Sequence, residues 1–134
     1  MDKYTADQQL YIINGREYSC PFELTTSVIV SKWKMKIVKL LCDNPKLRYN
    51  ELKKSIRGAI THKMLTQSLR ELESDGIVKR FVYSEVPPKV EYALTEEGLG
   101  LQHVIEAMNI FGSQFSNKPT SNKRKPTANT QASI

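Results

Sequence analysis

Leu65, Leu69 and Leu72 stand at i, i+4 and i+7, the apolar stripe of an amphipathic helix. Thr61 precedes that stripe as a side-chain cap, and Gly76 follows it as a left-handed C-cap. Upstream, Trp33, Ile37, Leu40 and Leu41 recur at helical spacing in a helix that Ser31 caps and Asn44-Pro45 ends. Between the two lie a short extended piece, Leu47-Arg48-Tyr49, and a further helix, capped by Asn50, through Leu52 and Ile56 to Gly58. The first helix opens at Cys20-Pro21, because proline is tolerated at the first helical position and Glu23 suits the first turn. Phe22, Leu24, Val28 and Ile29 supply its apolar positions.

After Gly76 the period changes. Ile77 to Tyr83 reads as a strand, Pro87-Pro88-Lys89 as a turn, and Val90 to Leu94 as the returning strand. Thr95, Glu96 and Glu97 start a last helix with Leu101, Val104, Ile105, Met108, Phe111 and Phe115 along one face. Near the beginning, Gln9–Ile13 and Arg16–Tyr18 flank Asn14-Gly15, a pair that tolerates positive φ and suits a tight hairpin. The expected fold is α+β and mostly helical. Helix, short strand, two helices, two-stranded hairpin and long helix is the order of a winged helix-turn-helix, an order other small α+β domains share. The expected organisation is an N-terminal hairpin arm at 1–19, the helical domain at 20–115 and a tail at 116–134. That tail, SNKPTSNKRKPTANTQASI, is polar and is expected to be disordered and dispensable for the fold.

The 134 residues suffice for one domain with a real core. No apolar run approaches the ~18 residues of a membrane span. The N-terminal residues have no apolar core behind a basic start, so no secretory signal is expected. Cys20 and Cys42 are too few for a disulfide scaffold. These features predict a soluble, cytosolic domain.

Dividing the charge sharpens the picture. Residues 31–89 carry 14 Lys/Arg against 6 Asp/Glu, a net of +8, between segments of net −2 (1–30) and −4 (90–115). A folded basic region points to an anionic polymer, nucleic acid before membrane, although a solvated basic surface has the same composition. With the leucines inward, His62, Lys63, Thr66, Gln67 and Arg70 share the opposite face of the Thr61-capped helix. No acid precedes Glu71 there, so this half can approach phosphates, and its residue types can address base edges in a major groove. The bland alternative is an ordinary solvated helix face. Lys79 and Arg80 lie at the base of the following hairpin and Lys89 beside its tip, where a cation can rest on a backbone or enter a minor groove.

The run Leu52-Lys53-Lys54-Ser55-Ile56, followed by Ile60 through Arg80, resembles the HxlR-type, MarR-like winged-helix regulators of bacteria. So do Ser31-Lys32-Trp33-Lys34 and Pro87-Pro88-Lys89-Val90-Glu91-Tyr92-Ala93-Leu94-Thr95-Glu96-Glu97-Gly98. The resemblance spans about residues 18–112. It implies that Thr61–Ser74 enters the major groove of double-stranded DNA, that the Pro-Pro hairpin is the wing, and that the first and last helices form a homodimer. On this reading Thr61, His62, Lys63, Thr66, Gln67, Arg70, Arg80 and Lys89 contact DNA. Tyr49 stands where the family usually has phenylalanine, Arg57 where it has proline, and Val30-Ser31 where a glycine pair is common.

Cys20 matches a cysteine that many members carry before the first helix, where it often senses oxidants or electrophiles. N–H groups at a helix N-terminus stabilise a thiolate, but Pro21 removes one of them, and inert packing beneath the hairpin is the alternative. Cys42, near the end of an apolar helix, reads as inert. Neither cysteine stands at metal-ligand spacing from His62 or His103, so no metal site is expected. No catalytic dyad, triad or Gly-rich phosphate loop is present, so an enzyme is not expected and no cofactor is implied. The competing function is a winged-helix protein-interaction module without specific DNA binding.

Overall fold

The computed structural model describes residues 9–117. The expectations for the arm before residue 9 and for the tail from residue 118 lie outside the described residues. The chain divides into two compact units, residues 1–102 and 103–134.

The first unit begins with the hairpin β1 (Tyr11–Ile13) and β2 (Arg16–Tyr18), paired antiparallel with Ile12 opposite Glu17. Asn14 and Gly15 take φ of 48° and 80° at its tip, the positive values that the Asn-Gly pair predicts. α1 (Pro21–Ile29) follows with proline in its first turn and packs against this hairpin. It buries only Val28 and Ile29, at its C-terminal end. Phe22, another of its expected apolar positions, is 72% exposed.

α2 (Lys34–Asp43) starts after a turn in which Ser31 Oγ accepts from the Lys34 N–H at 2.9 Å. Ile37, Val38 and Leu41 are its core residues, while Leu40 is half-buried. β3 (Leu47–Arg48) leads directly into α3 (Tyr49–Ser55). This helix begins earlier than expected, because Glu51 Oε1 accepts from the Arg48 N–H at 2.7 Å and leaves Asn50 inside the first turn. It also ends earlier, and Ile56 to Ala59 form the turn into α4 (His62–Ser74). In that turn Gly58 and Ala59 both have positive φ, and a Cβ on Gly58 would stand 3.3 Å from the Trp33 ring. The turn is thus seated on a buried tryptophan, and Lys36 Nζ donates to the Arg57 carbonyl at 3.0 Å.

β4 (Val78–Tyr83) and β5 (Lys89–Leu94) pair from Val78–Leu94 to Tyr83–Lys89, so Lys89 belongs to the strand and not to the turn. β3 joins the far side of β5 through Leu47–Tyr92 and Arg48–Glu91, making a three-stranded sheet of order β3-β5-β4. Leu52, Leu65, Leu69, Leu72 and Val78 are buried with the α2 residues in one core. At about 0.8 kcal/mol per buried CH₂, this burial is what holds α4 to the body.

The expected single last helix is two pieces: α5 (Glu96–Leu99) and α6 (Gln102–Ser113). Gly100 and Leu101 donate to the carbonyls of Glu97 and Gly98 at 3.1 and 3.0 Å, tight i→i−3 bonds that interrupt the α-pattern beside two glycines of low helix propensity. Gly98 is buried against Ile77, the residue before β4: a Cβ there would lie 2.2 Å from the Ile77 carbonyl oxygen, so no other residue fits.

α6 carries the second unit. None of its residues is buried, and Val104, Met108, Ile110 and Phe111 are exposed apolar side chains. Phe115 lies just beyond the helix end, its ring 5.3 Å from that of Phe111.

Candidate nucleic-acid interface

α4 holds most of the predicted site. Thr61 caps it, its Oγ1 accepting from the Met64 N–H at 3.1 Å, so Thr61 serves the helix end itself. Leu65, Ser68, Leu69 and Leu72 are buried beneath. His62, Lys63, Thr66, Gln67 and Arg70 come together outward with Glu71, lining a shallow depression of about 550 Å³. Five of the predicted residues therefore share one surface.

The electrostatics of that surface follow from the pairings around it. Lys63 and Arg70 make no ion pair among the described residues. The free N–H groups of a helix N-terminus add partial positive charge at the His62 end, and no acid in the first turn offsets it. Glu71 is the acid in the lining. Lys34 Nζ sits 2.6 Å from its Oε1 and Gln67 Nε2 donates to its Oε2 at 3.1 Å; the two bonds, Lys34 first, hold this carboxyl below the usual range. The Gln67 amide keeps one N–H and its carbonyl for a ligand.

Tyr49, at the start of α3, places its hydroxyl 2.9 Å from His62 Nδ1, 3.2 Å from the His62 carbonyl and 3.1 Å from Thr66 Oγ1. This cluster ties the first turn of α4 to α3. The sequence reading did not single Tyr49 out as functional, because the contact crosses a turn whose path is invisible in apolar spacing.

The remaining predicted cations stand elsewhere. Arg80 Nε lies 3.6 Å from Glu73 Oε1, on the side of β4 that faces the end of α4. Lys89 Nζ lies 4.6 Å over the Tyr83 ring and 3.9 Å from Glu85. Lys46 was missed: it precedes β3, which the pairing with β5 brings beside the hairpin. Its Nζ lies 4.3 Å over the Phe81 ring and 3.3 Å from the Tyr83 hydroxyl, while Lys79 flanks the same Phe81 at 5.5 Å.

Cys20 is a half-exposed free thiol at the junction of β2 and α1, in the N-cap position but making no side-chain cap bond. Arg16, in the adjoining strand, makes a two-pronged contact with Asp75, NH1 to Oδ1 at 3.1 Å and NH2 to Oδ2 at 3.2 Å. Asn14 donates to Ser74 Oγ and Asp75 Oδ1 at 3.0 and 3.2 Å. The hairpin is thereby fastened to the C-terminal end of α4. Cys42 is also half-buried and free, and burial pushes its thiol up, away from the reactive thiolate. Among the described residues no three His, Cys, Asp or Glu side chains are grouped to hold a metal ion. No helix of the described residues is long and apolar enough to cross a membrane.

A helix presented outward after a tight turn, with a two-stranded β-ribbon alongside, defines a winged helix-turn-helix protein. The HxlR-like helix-turn-helix family model matches residues 28–120, and the chain belongs to that family. A relative from Halalkalibacterium halodurans, named as an uncharacterized HTH-type transcriptional regulator, is 46% identical over 97 residues, 72% of this chain and 85% of that one. The solved structure of the redox regulator HypR in its oxidized form has a TM-score of 0.67 at 46% identity, covering 74% of this chain and 100% of that one. The reduced form of the transcriptional regulator YodB from Bacillus subtilis gives 0.62 at 38% identity, covering 73% and 95%. The chain is a transcription regulator of the helix-turn-helix class.

Proposed function

We propose that the protein is a sequence-specific DNA-binding regulator that acts as a homodimer on a near-palindromic operator. α4 enters the major groove, with His62, Lys63, Thr66, Gln67 and Arg70 facing the duplex and Thr61 at its leading end. The β4–β5 wing brings Lys89 and Arg80 toward the flanking backbone. The observation that carries this is the two-sided character of α4: a buried leucine face, and an opposite face free of acids from His62 to Arg70. The dimer forms through α1 and the last helix. Its support is exposed apolar surface: Phe22 and Val30 at the ends of α1, and Met108, Phe111 and Phe115 along and just after α6. The protein works in the bacterial cytoplasm, on the nucleoid when bound.

An electrophoretic mobility titration against the gene's own upstream region, repeated over a salt series, tests the reading. Log K against log salt should fall more steeply than about −4 for two subunits, through counterion release. Half-sites should lie ~34–36 Å apart. A flat salt response overturns DNA binding in favour of the interaction module, and sedimentation as a monomer at micromolar concentration overturns the dimer.

A thiol switch at Cys20 is favoured by its exposure and by the Arg16–Asp75 connection from its hairpin to α4. The redox regulator HypR is among the solved structures this chain is similar to. The effector is then an oxidant or electrophile, and modification of Cys20 lowers operator affinity by changing the spacing of the two recognition helices. Cys20→Ser should bind operator normally and ignore diamide, while Cys42→Ser still responds. Equal loss of binding in wild type and Cys20→Ser, or loss in neither, makes Cys20 structural.

A further inference from the structure

We propose that the Tyr49 hydroxyl fixes the tautomer of His62 and thereby decides which base edge His62 reads. The inference rests on the reading of α4 as the DNA-contacting helix.

It follows from counting protons. A phenol offers one O–H and can accept two incoming bonds. Three partners surround the Tyr49 oxygen: His62 Nδ1 at 2.9 Å, the His62 carbonyl oxygen at 3.2 Å and Thr66 Oγ1 at 3.1 Å. The carbonyl can only accept, so it takes the phenol proton. Thr66 and Nδ1 must then both donate, which fills the two acceptor sites of the phenol. This is the single arrangement in which all three contacts are hydrogen bonds. Donation by Tyr49 to Nδ1 instead would leave two oxygens 3.2 Å apart with no proton between them. The neutral His62 ring therefore carries its proton on Nδ1 and leaves Nε2 as a bare acceptor.

That choice has a chemical consequence in a major groove. An acceptor at Nε2 pairs with an amino group, the N4 of cytosine or the N6 of adenine. The other tautomer, which a neutral imidazole free in water favours, would present N–H to the O6 and N7 of guanine or the O4 of thymine. Tyr49 touches no DNA in this scheme. It is a positioning residue that acts through His62, whose ring lies 5.1 Å from its own.

The test uses the ¹⁵N-labelled full chain at about pH 8.5, where imidazoles are neutral. Long-range ¹H–¹⁵N correlations report the tautomer, and His103→Gln assigns the second histidine. Wild type should show the Nδ1–H form. Tyr49→Phe, which keeps the aromatic ring, should shift His62 to the Nε2–H form. Thr66→Val, which removes a different partner, should leave the Nδ1–H form in place. An Nε2–H ring or a mixture in wild type overturns the assignment.

Selection from a randomised operator at the same pH provides the second arm. Wild type should prefer cytosine or adenine at the position His62 addresses, and Tyr49→Phe should shrink that preference about fivefold, the lower end of what one base contact supplies. An unchanged preference in Tyr49→Phe overturns the role in specificity. If neither protein prefers any sequence, the DNA reading fails, while the nitrogen shifts still decide the tautomer.

Discussion

From His62 to Arg70, α4 carries cations with no ion-pair partner among the described residues; from Glu71 to Asp75, every acid is matched to a cation from another element. Lys34 reaches Glu71 from the start of α2, Arg80 reaches Glu73 from β4, and Arg16 reaches Asp75 from β2. Acids at a helix C-terminus oppose the macrodipole, and acids are missing from the N-terminus where they would complement it. The charge order is thus unfavourable for the helix alone and intelligible only with its surroundings. Each pair is worth no more than about 1 kcal/mol, because at least one member is exposed. Their value is geometric, since contacts from three elements fix both the roll and the tilt of α4. One end is held, and the other is left positive for a ligand.

The comparison can be broken most severely from below. Leu69, 2% exposed under the middle of α4, supports both ends. Leu69→Ala should cost about 2–5 kcal/mol in urea unfolding and abolish operator binding with the fold. Next in size, Arg70→Ala should cost ~1–3 kcal/mol of specific DNA affinity and relax preference at one base, with stability within about 0.5 kcal/mol of wild type. Lys89→Ala on the wing should instead weaken all sequences alike and reduce the salt slope by about 1. Equal losses on operator and random DNA for both would mean that α4 positions without reading.

The held end gives smaller effects of opposite kind. Asp75→Asn should lower stability by about 1 kcal/mol while the preferred operator stays the same. The smallest effect is an acid limb. Glu71 is held below its ordinary value of 4.5 in the folded state, so its contribution is complete above that value and is lost as pH falls through the depressed one. Lys34→Met should flatten the stability profile below about pH 4.5, and an unchanged profile would show that the pair does not form in solution.

The asymmetry of α4 explains what was legible in advance. The Leu65–Leu69–Leu72 stripe, the Thr61 cap and the acid-free outer face are local patterns, and they placed the helix and most of its lining. The Asn14-Gly15 hairpin was legible for the same reason. What failed was decided by partners distant in sequence. Asn50 is a good cap, but Glu51 reaches back to Arg48 and moves the start of α3. The last helix breaks at Gly100 and Leu101, where tight i→i−3 bonds replace the α-pattern, a change that the apolar spacing does not announce. Tyr49 and Lys46 belong to the same class, since their neighbours depend on a turn and on the β3–β5 register.

Gly98 has a mechanical consequence for the wing. Thr95 N–H donates to the Ile77 carbonyl at 2.9 Å, Thr95 Oγ1 donates to the Gly76 carbonyl at 2.6 Å, and Gly98 N–H closes back onto Thr95 Oγ1 at 3.0 Å. With the glycine pressed on the same Ile77 carbonyl, the root of the β4–β5 ribbon is clamped, whereas Val86 at its tip is 100% exposed. The ribbon is a cantilever. Its root is held against shear, so the tip moves by bending along the six-pair ladder from Val78–Leu94 to Tyr83–Lys89. Adding one two-residue step to each strand would carry Lys89 outward by about 7 Å and leave the clamp untouched. Reach and anchorage are therefore separately adjustable, and the wing can be lengthened without loosening the protein that holds it.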